Sequence, residues 1–254
     1  MNQNEVRRAF EGWRQANSRP SWKPITEDRD GTILDSKFSG RPWLADGELW
    51  PACPGCRRSM QLFLQLNLSQ LPAELNGRFG TGWLQLFYCV TEDCEAMMDN
   101  WEPFSQGKLV RVVQPLHGEG ENVAAPEEHF TPRTIVSWER HDDFPDDSDH
   151  EDLGLKYRCR RNTVDVRWQD GGVELKGLHY DEIAKLSNAL PGDKLAGWSA
   201  WSQGNELPRC PECDELMEFV FQIDSNDHLP FMFGDLGRGH VTQCPIHREV
   251  VAFG

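Results

Sequence analysis

Eight side chains in this chain have the types and spacing to hold metal ions. Cys53-Pro-Gly-Cys56 and Cys210-Pro-Glu-Cys213 are two Cys-x-x-Cys turns, and each is followed further along by a second pair of ligand-type residues. For the first turn that pair is Cys89 and Cys94; for the second it is Cys244 and His247. A Cys-x-x-Cys turn places two sulfurs on one side of a single ion, and zinc favours four tetrahedral thiolate or imidazole ligands. Pro54 and Pro211 restrain φ inside the turns. The spacing therefore predicts two structural zinc ions, one on Cys53, Cys56, Cys89 and Cys94, the other on Cys210, Cys213, Cys244 and His247. Iron accepts similar thiolate sets. Four protein ligands leave no open position for water, which argues against a catalytic ion. A redox Cys-x-x-Cys would sit at a strand-to-helix turn of a βαβ unit, and neither turn does. Cys159, flanked by Arg158 and Arg160, stands outside both sets.

The two turns lie in segments that align without a gap. Lys37 matches Lys194, Gly40 matches Gly197, Gly47 matches Gly204, Pro51 matches Pro208, Met60 matches Met217 and Gln65 matches Gln222. The pattern predicts an internal duplication, with repeats at approximately 37–115 and 194–254.

The elements that must position these ligands are mostly strands. Met60 to Leu68, Gly82 to Val90, Lys108 to Val113 and Thr134 to Trp138 read as strands in the first half. Met217 to Ile223, a run leading to Cys244, and Glu249 to Phe253 read as strands in the second. Val6, Phe10 and Trp13 share one face of a helix over 5–16. A second helix is expected over Leu175–Leu190, with Ile183, Leu186 and Leu190 on its stripe. Pro20, Pro24 and the Asp30-Gly31 dipeptide predict a loop after the first helix. The expected fold class is α+β and predominantly β: two pseudo-symmetric intertwined repeats with antiparallel sheets, few short helices and two zinc knuckles. No Gly/Ser-rich linker separates the halves, so a single domain over 1–254 is expected.

An acidic central segment spans 118–152. Its first part, Gly118 to Glu128, reads as a polar loop broken at Pro126. Glu139 to Asp152 carries eight acidic residues in fourteen, where crowded like charges and Pro145 predict neither helix nor strand. His141 and His150 fall in that run, as members of an acid-base or metal cluster or of a solvated loop. Gly234-Asp-Leu-Gly237-Arg-Gly239 precedes a strand rather than a helix and reads as a turn, not a phosphate cradle. Trp198 and Trp201 read as core residues or as the lining of a groove.

With 254 residues and a net charge of -15, the chain is long enough for a large core and poorly suited to phosphate backbones. Arg57, Arg58 and Arg209 make only a sparse basic patch, which weighs against a nucleic-acid-binding zinc ribbon. No apolar run is long enough for a membrane helix, and Met1 to Arg8 has no apolar signal core, so a cytoplasmic bacterial protein is expected. Neither Gly-x-Ser-x-Gly, His-Glu-x-x-His nor a P-loop occurs, and no catalytic residue is assigned.

The ordered series Leu49-Trp-Pro51-Ala-Cys-Pro-Gly-Cys56, Leu64-Gln-Leu-Asn-Leu-Ser-Gln-Leu-Pro72 and Gly82-Trp-Leu-Gln-Leu-Phe87 resembles the YwqG-like proteins, a bacterial domain family. Ile135-Val-Ser-Trp138 through Pro145 and Phe221-Gln-Ile-Asp224 resemble it too, so the likeness runs from about residue 37 to the end. It implies a duplicated β-rich fold and no catalytic residues. Many relatives lack the cysteine turns, so zinc rests on this sequence alone. Relatives often sit beside secreted antibacterial toxins, which implies by analogy an immunity factor.

Charge and resemblance together predict an immunity-type inhibitor that binds a cognate basic toxin, a nuclease among the candidates, and occludes its active site. Asp142, Asp143, Asp146, Asp147 and Asp149 are the expected contact surface. The alternative is a cytosolic enzyme using His141 with neighbouring aspartates, beside structural zinc.

Overall fold

Strand is the main regular structure among the described residues. The computed structural model describes residues 3–114, 123, 125–126, 130–169, 174–179, 181, 183 and 189–254. The chain divides into two compact units, a smaller one of residues 1–21, 140–191 and 196–206 and a larger one of 22–139, 192–195 and 207–254. Chain order begins α1 (Gln3–Ala16), β1 (Arg19–Glu27), β2 (Lys37–Phe38), β3 (Gln61–Asn67), β4 (Trp83–Tyr88), β5 (Lys108–Val113) and β6 (Arg133–Asp143). It continues β7 (Leu155–Cys159), β8 (Val164–Trp168), β9 (Glu174–Leu178), β10 (Lys194–Leu195), β11 (Glu218–Asp224), β12 (Arg238–Gln243) and β13 (Val251–Phe253).

The larger unit is built on a ten-stranded sheet in the order β13-β12-β11-β10-β1-β6-β2-β3-β4-β5. The two aligned segments flank the β1–β6 pair. Lys37 of β2 pairs with Gln65 of β3, and Lys194 of β10 pairs with Gln222 of β11. Ladder shifts fall at Leu62/Leu64 and at Phe219/Phe221, which are corresponding positions. Left-handed backbone recurs at Ser39, Gly40, Gly47 and Arg57 and at their counterparts Ala196, Gly197, Gly204 and Asp214.

These correspondences explain several identities in the sequence. Lys37 is fully buried, and its Nζ donates to Asp30 Oδ1 at 3.0 Å and to the Arg41 carbonyl at 3.1 Å. Burial lowers its pKa, and the Asp30 carboxylate opposes that shift. Gly40 has φ +79°, and a Cβ there would stand 2.1 Å from Asp30 Oδ1, so glycine is required on both counts.

β3 is buried along its whole length, as its unbroken apolar run predicts. Phe63 on β3 meets Tyr88 on β4 at 4.8 Å between ring centroids, and Tyr88 meets Phe253 of β13 at 5.9 Å. The outer strands β5 and β13 approach one another, so the sheet curls nearly into a barrel. The Phe253 N–H donates to the Pro103 carbonyl at 3.2 Å along this seam.

In the smaller unit, Phe10 of α1 packs on Leu155, Val164, Val166, Leu175, Leu178 and Ile183, over the antiparallel sheet β7-β8-β9. The helix over 5–16 is present. The side chain of Val6 lies outside the described residues.

Three expectations need correction. The stretch with Pro20 and Pro24 is strand β1, not loop; its pairing with the two-residue strand β10 is at Trp22, so that ladder asks no N–H of either proline. The acidic run is not without structure, because β6 extends through Asp143 and a 3-10 turn covers Asp147–Asp149. The start of the predicted 175–190 helix is strand β9. Val164 pairs with Leu178 and Val166 with Leu175, so β9 carries one extra residue. Gly177, with φ +70°, sits in that bulge. The bulge puts Leu175 and Leu178 on one face at a three-residue spacing, which imitates helical periodicity. Leu186 and most of 180–188 lie outside the described residues, as does most of the Gly118–Glu128 loop.

Candidate metal centres

Each predicted ligand set converges in space. The ligand atoms of Cys53, Cys56, Cys89 and Cys94 lie within 4.8 Å of one another, as do those of Cys210, Cys213, Cys244 and His247. The first Cys-x-x-Cys turn is closed by Cys53 N–H to the Arg58 carbonyl and Arg57 N–H to the Cys53 carbonyl, at 2.9 and 2.8 Å. The second is closed by Cys210 N–H to Glu215 and Asp214 N–H to Cys210, at 2.8 and 2.9 Å. Short bridges Ala52↔Ser59 and Arg209↔Leu216 complete both loops.

Each second pair comes from the end of the neighbouring strand. Cys89 follows β4, and a turn from the Thr91 carbonyl to the Cys94 N–H (3.1 Å) accommodates the four intervening residues. Cys244 follows β12. Its Sγ accepts the N–H groups of Ile246 and His247 at 3.4 and 3.3 Å.

The distances fit a tetrahedral ion. Two thiolates bound at ~2.3 Å in tetrahedral geometry stand ~3.8 Å apart. Cys53 Sγ–Cys94 Sγ is 3.6 Å, Cys56–Cys89 is 3.8 Å and Cys213–Cys244 is 3.6 Å. His247 presents Nδ1 at 3.8 Å from Cys210 Sγ and 3.9 Å from Cys244 Sγ. Disulfides would require about 2.05 Å; these are spaced thiols.

Electrostatics prepare each cluster for a cation. Burial raises Cys56, but the Arg58 N–H, the Thr91 hydroxyl and neighbouring thiols outweigh it and bring the pKa to about 6. Cys89 is pushed up to about 12, first by burial. Cys210 goes to about 7 because N–H groups and His247 outweigh its burial. The Glu215 N–H lowers Cys213, yet burial and the adjacent sulfurs raise it to about 11. One sulfur of each cluster is thus poised as thiolate, and a bound cation would ionise the others. Thr91, a supporting hydroxyl 3.6 Å from Cys56 Sγ, was not singled out in the sequence, where an isolated Thr carries no spacing signal.

A third group, Asp193, Asp227 and His228, also meets the spacing for a metal. Its oxygens are already engaged: Asp193 Oδ1 accepts the Asp224 N–H at 2.6 Å, Asp227 Oδ2 accepts the Asp193 N–H at 2.7 Å, and His228 Nδ1 lies 2.8 Å from Asp193 Oδ2. The equivalent corner of the first segment has Ser36 Oγ accepting the Asn67 N–H at 2.9 Å. It is a structural corner of the fold.

The expected contact aspartates divide. Asp143 is fully buried, its carboxylate accepting N–H groups of Leu190 (2.8 Å) and Trp198 (2.9 Å). Asp149 is buried against Asn205 Nδ2 (2.8 Å) and the Trp201 indole. Asp146 is buried and caps the 3-10 turn through the Ser148 N–H at 3.1 Å. These three are framework, not contact surface: each is buried and engaged by donors of the fold, backbone N–H groups for Asp143 and Asp146 and side-chain N–H groups for Asp149. Asp142 is exposed and pairs with Arg140 at 3.0 Å, and Asp147 is half-buried.

A cleft of about 380 Å³ opens beside the first turn, lined by Leu49, Met60, Lys108 and Arg111 among others. Arg111 pairs with Glu48 at 2.5 Å, and Lys108 Nζ donates to the Asn100 carbonyl at 2.6 Å. Burial holds the Lys108 amine down at about 7.

Fold and site define a predominantly β protein carrying two four-ligand Cys/His clusters able to hold metal. No helix among the described residues is long and apolar enough to cross a membrane. Residues 36–245 match the family described as a domain of unknown function (DUF1963), and the chain belongs to that family. No curated protein matches the chain.

Proposed function

We propose that this protein is an immunity-type inhibitor, acting in the cytoplasm, that binds a cognate basic toxin and blocks its active site. On this reading the two clusters hold structural zinc, and the aligned segments are a duplicated frame of the YwqG-like kind. The observation that carries the proposal is the net charge of -15. An acidic surface associates fast with a basic cleft, such as that of a nuclease, and excludes its polyanionic substrate. The closed clusters support the same reading, since four protein ligands leave an ion with a structural role.

The test is neutralisation. A toxin reading frame, if one lies beside this gene, expressed with and without this protein should kill only when alone, and association should slow as salt rises. Killing unaffected by co-expression would end the proposal.

An enzyme is the second reading, favoured by one observation: Lys108, an amine of depressed pKa in a cleft. Trapping of Lys108 by a small aldehyde and cyanoborohydride at neutral pH would support it. Labelling confined to other lysines would remove it.

A further inference from the structure

The segment following Cys89 is built on a period of three. Successive i→i+3 bonds run from Met97 N–H to Cys94 O (2.9 Å), Met98 to Glu95 (3.1 Å), Asn100 to Met97 (3.3 Å), Glu102 to Asp99 (3.0 Å) and Ser105 to Glu102 (3.1 Å). The 3-10 helix proper spans only Glu95–Met97, and hydrogen-bonded turns carry the chain on to Ser105; where three residues make a turn, side chains i and i+3 fall in a row. The row Cys94, Met97, Asn100 and Pro103 faces inward: Cys94 and Asn100 are buried, and Met97 packs on the cysteine cluster. The next row is Met98, Trp101 and Phe104, exposed by 73%, 66% and 51%. The third row presents Asp93, Asp99 and Glu102, all exposed. Glu92 and Glu95 add to the charge, and no Lys or Arg falls between Thr91 and Gly107.

Met, Trp and Phe side by side in solvent are the composition of an interface centre, with Trp prominent among residues that dominate binding energy. Carboxylates along one flank select the charge of what binds. We propose that Met98, Trp101 and Phe104 form the docking row for a basic amphipathic segment of a protein partner. Its apolar side chains lie on the row, and its Lys or Arg residues face Asp93, Asp99 and Glu102. This rests on the reading of the protein as a binder of a basic toxin, and it places the contact beside the first cysteine cluster. Cys89 and Cys94 anchor one end of the row, and the Pro103–Phe253 bond anchors the other.

The probe is a fluorescent synthetic peptide of leucine and lysine in helical amphipathic order, titrated into the metal-loaded full chain, with a leucine–glutamate peptide as its counterpart. The lysine peptide should bind and the glutamate peptide should not. Met98→Ala with Trp101→Ala should weaken binding at least tenfold. Asp99→Asn with Glu102→Gln should weaken it several-fold and flatten its salt dependence. Asp46→Asn with Asp235→Asn makes the same charge change at exposed positions elsewhere and should leave it unchanged. The row side chains are exposed, so their variants should keep the wild-type melting temperature. The proposal is overturned if the lysine peptide does not bind, if the row variant binds as wild type, or if the Asp46/Asp235 control weakens binding equally. Self-association that the row variant abolishes would also overturn it, because a second copy would then be the occupant. Neutralisation of toxin by a wild type that ignores the peptide sinks the docking row alone; peptide binding without neutralisation sinks the inhibitor reading alone.

Discussion

Cys213 Sγ and Cys244 Sγ stand 3.6 Å apart, the separation found between Cys53 and Cys94 in the other cluster. Two clusters of different ligand composition and different loop length thus reach one geometry, the one a tetrahedral ion demands.

The purified chain should therefore carry two metal ions, measurable by plasma emission spectrometry. Cys53→Ser or Cys244→Ser should each lower the count by one ion. Loss of a structural site should cost at least about 3 kcal/mol, lowering Tm by about 6–12 °C. An unchanged metal content in both variants would refute the assignment.

Asp143 holds the N–H groups of Leu190 and Trp198. Asp143→Ala leaves both donors buried without an acceptor and should cost about 2–4 kcal/mol in urea unfolding. Asp142→Asn, at an exposed carboxylate, should stay within about 0.5 kcal/mol. Equal effects would mean that burial does not separate the two residues.

Burial raises the Asp149 carboxyl to about 6, above its ordinary 3.8. In that window the native state binds a proton that the unfolded chain releases, so this group's contribution is fully present below pH 3.8 and is lost as pH rises through 6. Asp146, also raised to about 6 chiefly by burial, acts in the same sense. His150 opposes them, since burial lowers it to about 4 and favours the native state at higher pH. The comparison of wild type with Asp149→Asn isolates one carboxyl. The variant should gain about 2 kcal/mol relative to wild type between pH 4 and 7. A pH-independent difference would contradict the buried setting.

Gly197 has φ +85°, and a Cβ there would come within 2.4 Å of Asp143 Oδ2. Gly197→Ala should cost about 2 kcal/mol or more, and its counterpart Gly40→Ala a similar amount. Gly47→Ala, where nothing lies within 4 Å, should be penalised only by its φ of +75°. Equal melting temperatures for all three would show that close approach plays no part.

The sequence by itself determined what is local or repeated. Ligand spacing named both clusters, because a Cys-x-x-Cys turn is set by five or six consecutive residues. Unbroken apolar runs named β3, and the alternation of Val164, Val166 and Trp168 carries the same kind of signal for β8. Tertiary structure decided the rest. It made a strand of Leu175 to Leu178, since a bulge at Gly177 is visible only against β8. It buried Asp143, Asp146 and Asp149, whose charge alone reads as solvated surface, by supplying donors from residues as distant as Trp198 and Asn205. It also exposed Met98, Trp101 and Phe104, which composition assigns to a core. Side-chain chemistry states what a residue prefers; only the packed chain states which partners reach it.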